Sequence, residues 1–503
     1  MMPIRVLVMN RLHSSTALGC LQILLAAALL GGCEVGPDFV RPALPDTDRY
    51  THELLAADTI SADGVSQHFL TDTSLPADWW QLFKSAALDA TVKQALLNNP
   101  TLQAAEASLR ESQDNLRAGD GVFFPWLDAG LGGERARSAP IQQGSQAASS
   151  IFNVVTASGT ISYPLDIFGG ERRTVEGLGA QVEQQRYLGK AAYLTLSANV
   201  VNACIARAAY AAQIQATEQL IVLEKEQLHS IEAQVHAGTE PYANLLSQRS
   251  LIAGNQALLA PLAQKMSQAD HLLALLEGTT ASQATLPDIA LFDLTLPQDL
   301  PLSLPSELVR QRPDILAAEA QLHTSSANIG VATAAMFPSV SLSATYGKTA
   351  SSLGQLLGAG GLFWSVGPSL AAPLFHGGSL WYGRKAAIEA NQVQLANYRL
   401  TVLTAFSQVA DSLNALGHDA EALQAQVDSR AAAAEALTLL QANYRAGLVA
   451  YLDVLAADVQ FHSASISYLQ AIAQRQQDTV ALFVALGGGW WNAPEVSGKE
   501  PGP

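Results

Sequence analysis

The chain has 503 residues, of which only 14% are charged and 49% hydrophobic, and its formal net charge is −16. That acidity excludes a broad phosphate-binding surface for nucleic acid, which needs clustered Lys and Arg, and three cysteines are too few for a disulfide-built scaffold. Charged residues fall well below the roughly one quarter expected of a soluble protein, so lipid contact or extensive helix–helix burial must absorb the apolar excess.

Residues 1–16 carry Arg5 and Arg11 and no acid, and Ala17 to Gly32 follow without a charge. This run is short for a transmembrane helix and reads as a signal peptide over 1–32. Its ending, Leu29-Leu30-Gly31-Gly32 before Cys33, resembles a bacterial lipobox. The resemblance implies cleavage before Cys33 and acylation of its thiol and new amino terminus, palmitate included. Cys20 follows Leu18-Gly19 but stands at the front of the apolar run, so it is not the acceptor. With Cys33 lipidated, Cys204 has no intrachain partner and reads as a small buried apolar residue. Each methylene of an acyl chain adds about 0.8 kcal/mol of membrane affinity. By the lipoprotein sorting rule, Glu34 in place of Asp after the cysteine favours the outer membrane. Residues 33–78 are then an N-terminal lipidated extension.

From there the chain repeats itself. Asn99-Pro100-Thr101-Leu102-Gln103-Ala104-Ala105-Glu106-Ala107 returns as Arg312-Pro313-Asp314-Ile315-Leu316-Ala317-Ala318-Glu319-Ala320, and Phe124-Pro125 returns as Phe337-Pro338, both at an offset of 213. Ala237-Gly238, Tyr242 and Leu246 return as Ala446-Gly447, Tyr451 and Leu455 at an offset of 209. The four lost residues fall between these landmarks, most simply in a hairpin loop. The halves are 79–290 and 291–489, with a tail over 490–503.

Each half opens with a helix that has Pro in its first turn, Pro100 and then Pro313 (helix 313–335), where a missing N–H costs nothing. Two stretches of period-two alternation follow, at about 123–133 and 151–165, then at about 337–347 and 361–375. Val340, Leu342, Ala344 and Tyr346 alternate with Ser339, Ser341, Ser343 and Thr345, and Leu362, Trp364, Val366 and Leu370 alternate with Ser365, Gly367 and Ser369. Such segments have the length of transmembrane strands, and a face of Ser, Thr and Gly suits a water-filled lumen. Tyr346, Trp364 and Trp126 are candidates for an interfacial aromatic girdle.

Long helical patterns then run over 171–237 and 379–446, about 100 Å each at 1.5 Å per residue, against about 11 residues for an ordinary helix. Ile214, Ile221, Leu228 and Val235 recur every seven residues with Ile231 on the intervening seam, and Leu423, Leu437, Leu440 and Tyr444 keep much of that pattern. Gly238 and Gly447 are natural helix stops, and return helices follow over 242–277 and 450–486. The fold class is mainly α with a membrane β-barrel. It is a tandem repeat combining long coiled-coil helices with four strands of transmembrane length per chain. The alternative to membrane strands is two ordinary hairpins packed on a soluble core. If the hairpins are transmembrane, four strands cannot close a barrel in lipid and eight are about the minimum, so two chains or three must combine.

These features resemble the outer membrane factor family, the TolC-like efflux channels, in its lipoprotein branch. The resemblance rests on Cys33-Glu34-Val35-Gly36-Pro37-Asp38-Phe39, Trp79-Trp80-Gln81-Leu82-Phe83, and Arg312-Pro313-Asp314-Ile315 with Ala318-Glu319. It extends to Tyr444-Arg445-Ala446-Gly447 with Leu452-Asp453-Val454-Leu455, and to Leu486-Gly487-Gly488-Gly489-Trp490. It implies a homotrimer with a twelve-stranded barrel in the outer membrane and a twelve-helix α-barrel crossing the periplasm. Such a channel docks on a periplasmic adaptor (membrane fusion) protein that joins it to an inner-membrane transporter. The implied function is a passive conduit exporting drugs or other small toxic molecules, with no enzymatic activity and no cofactor.

Control is expected where the long helices end, at the Gly238 and Gly447 turns, with Tyr444 and Arg445 beside them for adaptor docking. In the family, carboxylates near this turn constrict the tip. Asp453 occupies one such position, its first-half counterpart is the neutral Asn244, and Ala456 stands where some relatives carry a second acid. A ring of carboxylates would bind cations and repel anions; the competing role for Asp453 is a cap at a helix N-terminus. Opening would be an iris-like shift of the inner helices, biased by the adaptor. Trp80, Arg312, Pro313, Asp314 and Glu319 form the family's signature and read as structural. His229 and His236 lie seven apart on a helix, and the chain has no His-Glu-x-x-His, Gly-x-Ser-x-Gly or phosphate-loop motif. The rival readings are a lipid-anchored periplasmic adaptor, which needs only one helical hairpin, a lipid-anchored enzyme, and a type I protein-secretion channel of the same architecture.

Overall fold

The structure, a computed structural model, describes residues 34–43, 47, 49–52, 56–71, 73–138 and 148–492. The signal peptide, Cys33 and the tail beyond Asn492 lie outside these residues. The chain divides into two compact units.

The first unit comprises the described residues up to Arg41 together with Leu109–Gln184 and Ala318–Tyr398. Its centre is an antiparallel sheet of β2 (Trp126–Ser138), β3 (Ser150–Leu165), β5 (Ser339–Ala350) and β6 (Leu362–Ala371), in the order β2-β3-β5-β6. The register runs unbroken, so directly opposed residues share a face. Leu127, Ile161, Ala344 and Val366 form one row across all four strands, and Asp128, Thr160, Thr345 and Ser365 form the next on the opposite face. One face is therefore largely Leu, Ile, Val and Ala with Tyr346 opposite Trp364, and the other is largely Ser, Thr and Gly. The Thr160 and Thr345 hydroxyls are 3.3 Å apart on the polar face. Trp126 departs from the expected girdle: it lies on the polar face opposite Ser162, because it shares parity with Asp128.

The strand bounds also differ from the sequence reading. β2 starts at Trp126 because Gly121–Phe123 forms a 3-10 turn. β6 ends at Ala371, ahead of Pro373, which has no N–H to donate. The connectors 139–149 and 351–361 are equal in number, so the four-residue difference between the halves is not in a hairpin loop. It falls mostly between β3, which is 16 residues long against 10 for β6, and the helix that follows.

The second unit comprises Ser108 and the preceding described residues from Pro42, Gln185–Ala317 and Arg399 onward. Its core gathers Trp79, Trp80, Phe83, Leu88, Leu291, Leu308 and Phe483, all fully buried. A short parallel pair, β1 (His68–Leu70) with β4 (Asp299–Pro301), lies in it. So does α1 (Ala86–Asn98), where the Ser85 hydroxyl accepts from the Leu88 N–H. Its second-half counterpart is α5 (Pro305–Gln311).

The remaining helices are α2 (Pro100–Asp120), α3 (Gly170–His236), α4 (Tyr242–Leu276), α6 (Pro313–Ala334), α7 (Ser379–Arg445) and α8 (Tyr451–Ala485). Both α3 and α7 have 67 residues, and α4 and α8 have 35 each. Good helix formers dominate them and the long pair contains no Pro, whereas α4 continues through Pro261. No helix among the described residues is long and apolar enough to cross a membrane.

Candidate functional site

The ends of α3 and α7 are built alike. Gly238 and Gly447 take φ of +75° and +73°, the left-handed region where a side chain is strained. Gly238 N–H donates to Val235 O (3.0 Å) and Thr239 N–H to Gln234 O (3.0 Å); Gly447 N–H donates to Tyr444 O (2.9 Å) and Leu448 N–H to Asn443 O (2.9 Å). This Schellman pairing satisfies the last helical carbonyls and turns the chain. Return helices α4 and α8 begin at Tyr242 and Tyr451.

Apolar residues from all four helices meet just behind these turns. Ile231, Leu245, Tyr451, Val454 and Leu455 are buried together, with Leu228, Val235, Leu251, Leu437, Leu440 and Tyr444 packed around them. The seven-residue repeat thus supplies the seam that ties the two hairpins. The Tyr444 and Tyr451 rings lie 5.2 Å apart at 56°, within the favoured range for tilted aromatic pairs.

A polar bridge caps this cluster. The Tyr444 hydroxyl donates to Oε1 of Glu240 and lies 3.3 Å from Gln234 Oε1. Asn244 Nδ2 donates to the other oxygen of the same carboxylate at 2.9 Å. Burial and the Glu240 charge both push the Tyr444 hydroxyl pKa up, which keeps it a donor. The geometry therefore brings Asn244 and Tyr444 together through Glu240, a residue that sequence reasoning passed over. Its signal was an acid two residues after Gly238, at a position where the second half has Val449.

Asp453 is not part of this bridge. It is exposed, and its Oδ2 accepts from the Ala450 N–H at 3.0 Å, so it caps the start of α8. Arg445 is also exposed and borders a groove of about 390 Å³ lined by Glu226, Gln234, Tyr444 and Tyr451.

Deeper along the same helices sits a buried carboxyl pair. Glu224 of α3 is 1% exposed and Asp458 of α8 is 5% exposed. Asn255 Nδ2 donates to Glu224 Oε1 at 2.5 Å, while Glu224 Oε2 finds no donor among the described residues. Gln248 Nε2 donates to Glu224 O at 2.9 Å, and Gln248 Oε1 accepts from the Tyr451 hydroxyl at 2.5 Å. Burial first, and Asp458 second, push Glu224 up to about 7; burial raises Asp458 as well. Two neighbouring carboxylates removed from water cannot both ionise cheaply, so the pair holds a proton near neutrality. One turn on, His462 Nε2 lies 3.3 Å from the Thr217 hydroxyl, and burial lowers its pKa. A second pair follows the same logic: burial and Asp478 push Asp419 up to about 7, with Arg475 opposing.

The signature residues occupy structural positions. Arg312 donates from Nε and Nη2 to both oxygens of Asp314 (3.0 and 2.7 Å), and also to Gln408 Oε1 (2.8 Å) and Ala485 O (2.9 Å). It thereby holds the last carbonyls of α8 against the start of α6, where Pro313 is the first residue. Trp80 is buried and donates to Asp89 Oδ1 at 3.0 Å. Glu319 accepts from Arg41 Nε at 2.7 Å. Cys33 lies outside the described residues, but its neighbour Glu34 pairs with Arg173 at 3.0 Å. The same guanidinium pairs with Asp38 at 2.6 Å and Glu176 at 2.7 Å, and its side chain is 4% exposed. Val35 N–H donates to Phe168 O at 3.2 Å, and Gly36 (φ +100°) packs directly on the Gly330 backbone. Cys204 is buried, and burial pushes its thiol up to about 12, as an inert packing residue requires.

Comparison with known proteins agrees along most of the chain. A family profile described as outer membrane efflux protein matches residues 91–279 and 304–488. The toluene efflux pump outer membrane protein TtgC of Pseudomonas putida is 29% identical over 476 residues, covering 94% of this chain and 96% of that one. The cation efflux system protein CusC of Escherichia coli is 28% identical over 473 residues, covering 92% and 97%. Among solved structures, the outer-membrane channel OprN superposes with a TM-score of 0.81 at 28% identity, covering 91% of this chain and 100% of that one.

Proposed function

The chain belongs to the outer membrane efflux protein family and is an outer-membrane channel component of an efflux system; on that premise we propose that three copies close one passive conduit through the membrane. The observation that carries this is the two-faced sheet. One face is apolar, the other is Ser, Thr and Gly, and β2 and β6 are left as edges. Edges in lipid must find partners, and three copies supply the twelve strands of a closed barrel with a polar lumen.

The protein forms and breaks no bond in this reading. An inner-membrane transporter supplies the energy, and a periplasmic adaptor engages the Gly238 and Gly447 turns near Tyr444 and Arg445. The Glu240 bridge with Tyr444 and Asn244 holds the tip closed, and Asp453 sets the ion preference at its mouth. Cys33 carries the lipid. The Glu34–Arg173 pair supports this, since it fixes Glu34, the residue after Cys33, beside Gly169, between the end of β3 and the start of α3. The cargo is drugs or other small toxic molecules, a class to which toluene, in the name of the Pseudomonas putida relative, belongs.

The test is crosslinking in outer-membrane fractions combined with planar-bilayer recording. A heat-modifiable trimer with steady conductance is expected. A monomer released intact by removing the lipid anchor would overturn the reading.

A further inference from the structure

The four strands contain five charged residues, and they segregate completely by face. Asp128 and Glu134 lie on the Ser/Thr face; Arg135, Arg137 and Lys348 lie on the apolar face. All three cations also lie toward one end. Lys348 is one row beyond the Tyr346–Trp364 pair, and Arg135 and Arg137 are further still, opposite Asn153 and Ile151. That end is the one remote from the helices, since each hairpin's helix-bearing ends are Trp126, Leu165, Ser339 and Ala371.

Cations on a lipid-facing surface cost about 2–4 kcal/mol at the bilayer midplane and little near its edge, which accounts for their position but not for their shared sign. Their bonding is incomplete. Arg135 is exposed and has no hydrogen-bond or ion-pair partner among the described residues. Among the described residues the Arg137 guanidinium donates only to the neutral Ser149 hydroxyl, at 3.1 and 2.8 Å. Lys348 reaches the Gly358 carbonyl at 2.7 Å, drawing its ammonium out of the apolar rows toward the outer connector. Arg135 and Arg137 alternate on one face, which sets them about 7 Å apart along the strand. Two guanidinium forks at that spacing, open to the lipid side, match phosphate groups, which arginine binds bidentately.

We propose that Arg135 and Arg137, with Lys348 flanking them, bind the phosphates of an anionic glycolipid headgroup in the outer leaflet. This rests on the reading of the sheet as a membrane barrel. The site orients the barrel rim and recruits a defined lipid to a protein whose net charge of −16 would otherwise repel anionic headgroups.

The test is native mass spectrometry of the detergent-extracted full chain incubated with bis-phosphorylated lipid A or with its dephosphorylated form. Wild type should retain the phosphorylated lipid at least about tenfold more, the loss of one good charge-assisted contact being worth that much. The Arg135→Gln/Arg137→Gln double variant should lose the preference while keeping its bilayer conductance, which reports a folded channel. Lys348→Gln alone should reduce the preference partially. Equal retention of the two lipids by wild type, or a preference undisturbed in the double variant, overturns the site. The channel reading fails on a different readout, absence of conductance in wild type, so the two failures are distinguishable.

Discussion

The Tyr444 hydroxyl donates to the Glu240 carboxylate, tying the end of one long helix to the turn that closes the other. A hydrogen bond to a charged acceptor contributes about 1.5–3 kcal/mol, and here Asn244 shares the same acceptor. Tyr444→Phe should therefore loosen the tip without unfolding it, because the ring keeps its packing on Tyr451. The expected result is larger or more frequent openings in planar-bilayer recordings, reproduced by Glu240→Gln. Combining the two should add little, since both remove one bridge. Additive effects would mean that the residues act separately.

Charge and capping at Asp453 can be separated by two substitutions. Asp453→Asn keeps an oxygen for the Ala450 N–H and removes the charge; Asp453→Ala removes both. The alanine variant should lose about 0.5–1 kcal/mol of stability. Both variants should raise anion conductance relative to cation conductance if the carboxylate sets ion preference. Unchanged selectivity in both would leave Asp453 as a cap alone.

The buried pair predicts a sign for pH dependence. Glu224 and Asp458 have folded pKa values above their unfolded ones, so the folded state binds the extra proton. Their contribution is fully present below about pH 4.5 and is lost as pH rises toward 7. Of the groups around them, Asn255 donates to Glu224 and lowers it, Tyr451 and Gln248 are neutral, and burial keeps His462 from ionising readily. Glu224→Gln should flatten the fall in melting temperature between pH 5 and 8. A residual slope is expected from Asp458 and Asp419 and should shrink further on adding Asp419→Asn. A slope unaffected by both changes would refute the assignment.

Arg312→Lys should destabilise the second unit. An ammonium cannot span both Asp314 oxygens while also reaching Gln408 and Ala485 O, so at least one acceptor is left bare. About 1–3 kcal/mol is expected, read as a lower denaturation midpoint. An unchanged midpoint would show that water replaces the lost contacts.

Strong periods were the legible part. The Ser339–Tyr346 alternation and the Leu228–Ile231–Val235 seam repeat often enough to announce strand and helix by themselves. Residue type misleads at Trp126: an aromatic suggests the lipid face, but its parity with Asp128 puts it on the polar one. Glu240 and Tyr444 were beyond reach in a different way: they are 204 residues apart, and no local pattern links them. The carboxyl pairs were hidden for the same reason, since Glu224 looks like any solvated acid until α8 brings Asp458 against it. Short helices such as α1 carried a start signal, Ser85 with Asp89 in the first turn, but too few turns for a period to emerge.

The matched helix lengths, 67 and 67, then 35 and 35, constrain how such a chain can evolve. Deleting one residue from α3 alone would draw its tip back by about 1.5 Å and rotate every downstream side chain by about 100°. Ile231 would leave the seam and Glu240 would miss Tyr444. Length variants that survive selection should therefore change in steps of seven residues, and in both halves at once. An ancestral duplication thus becomes a lasting restraint on insertion and deletion.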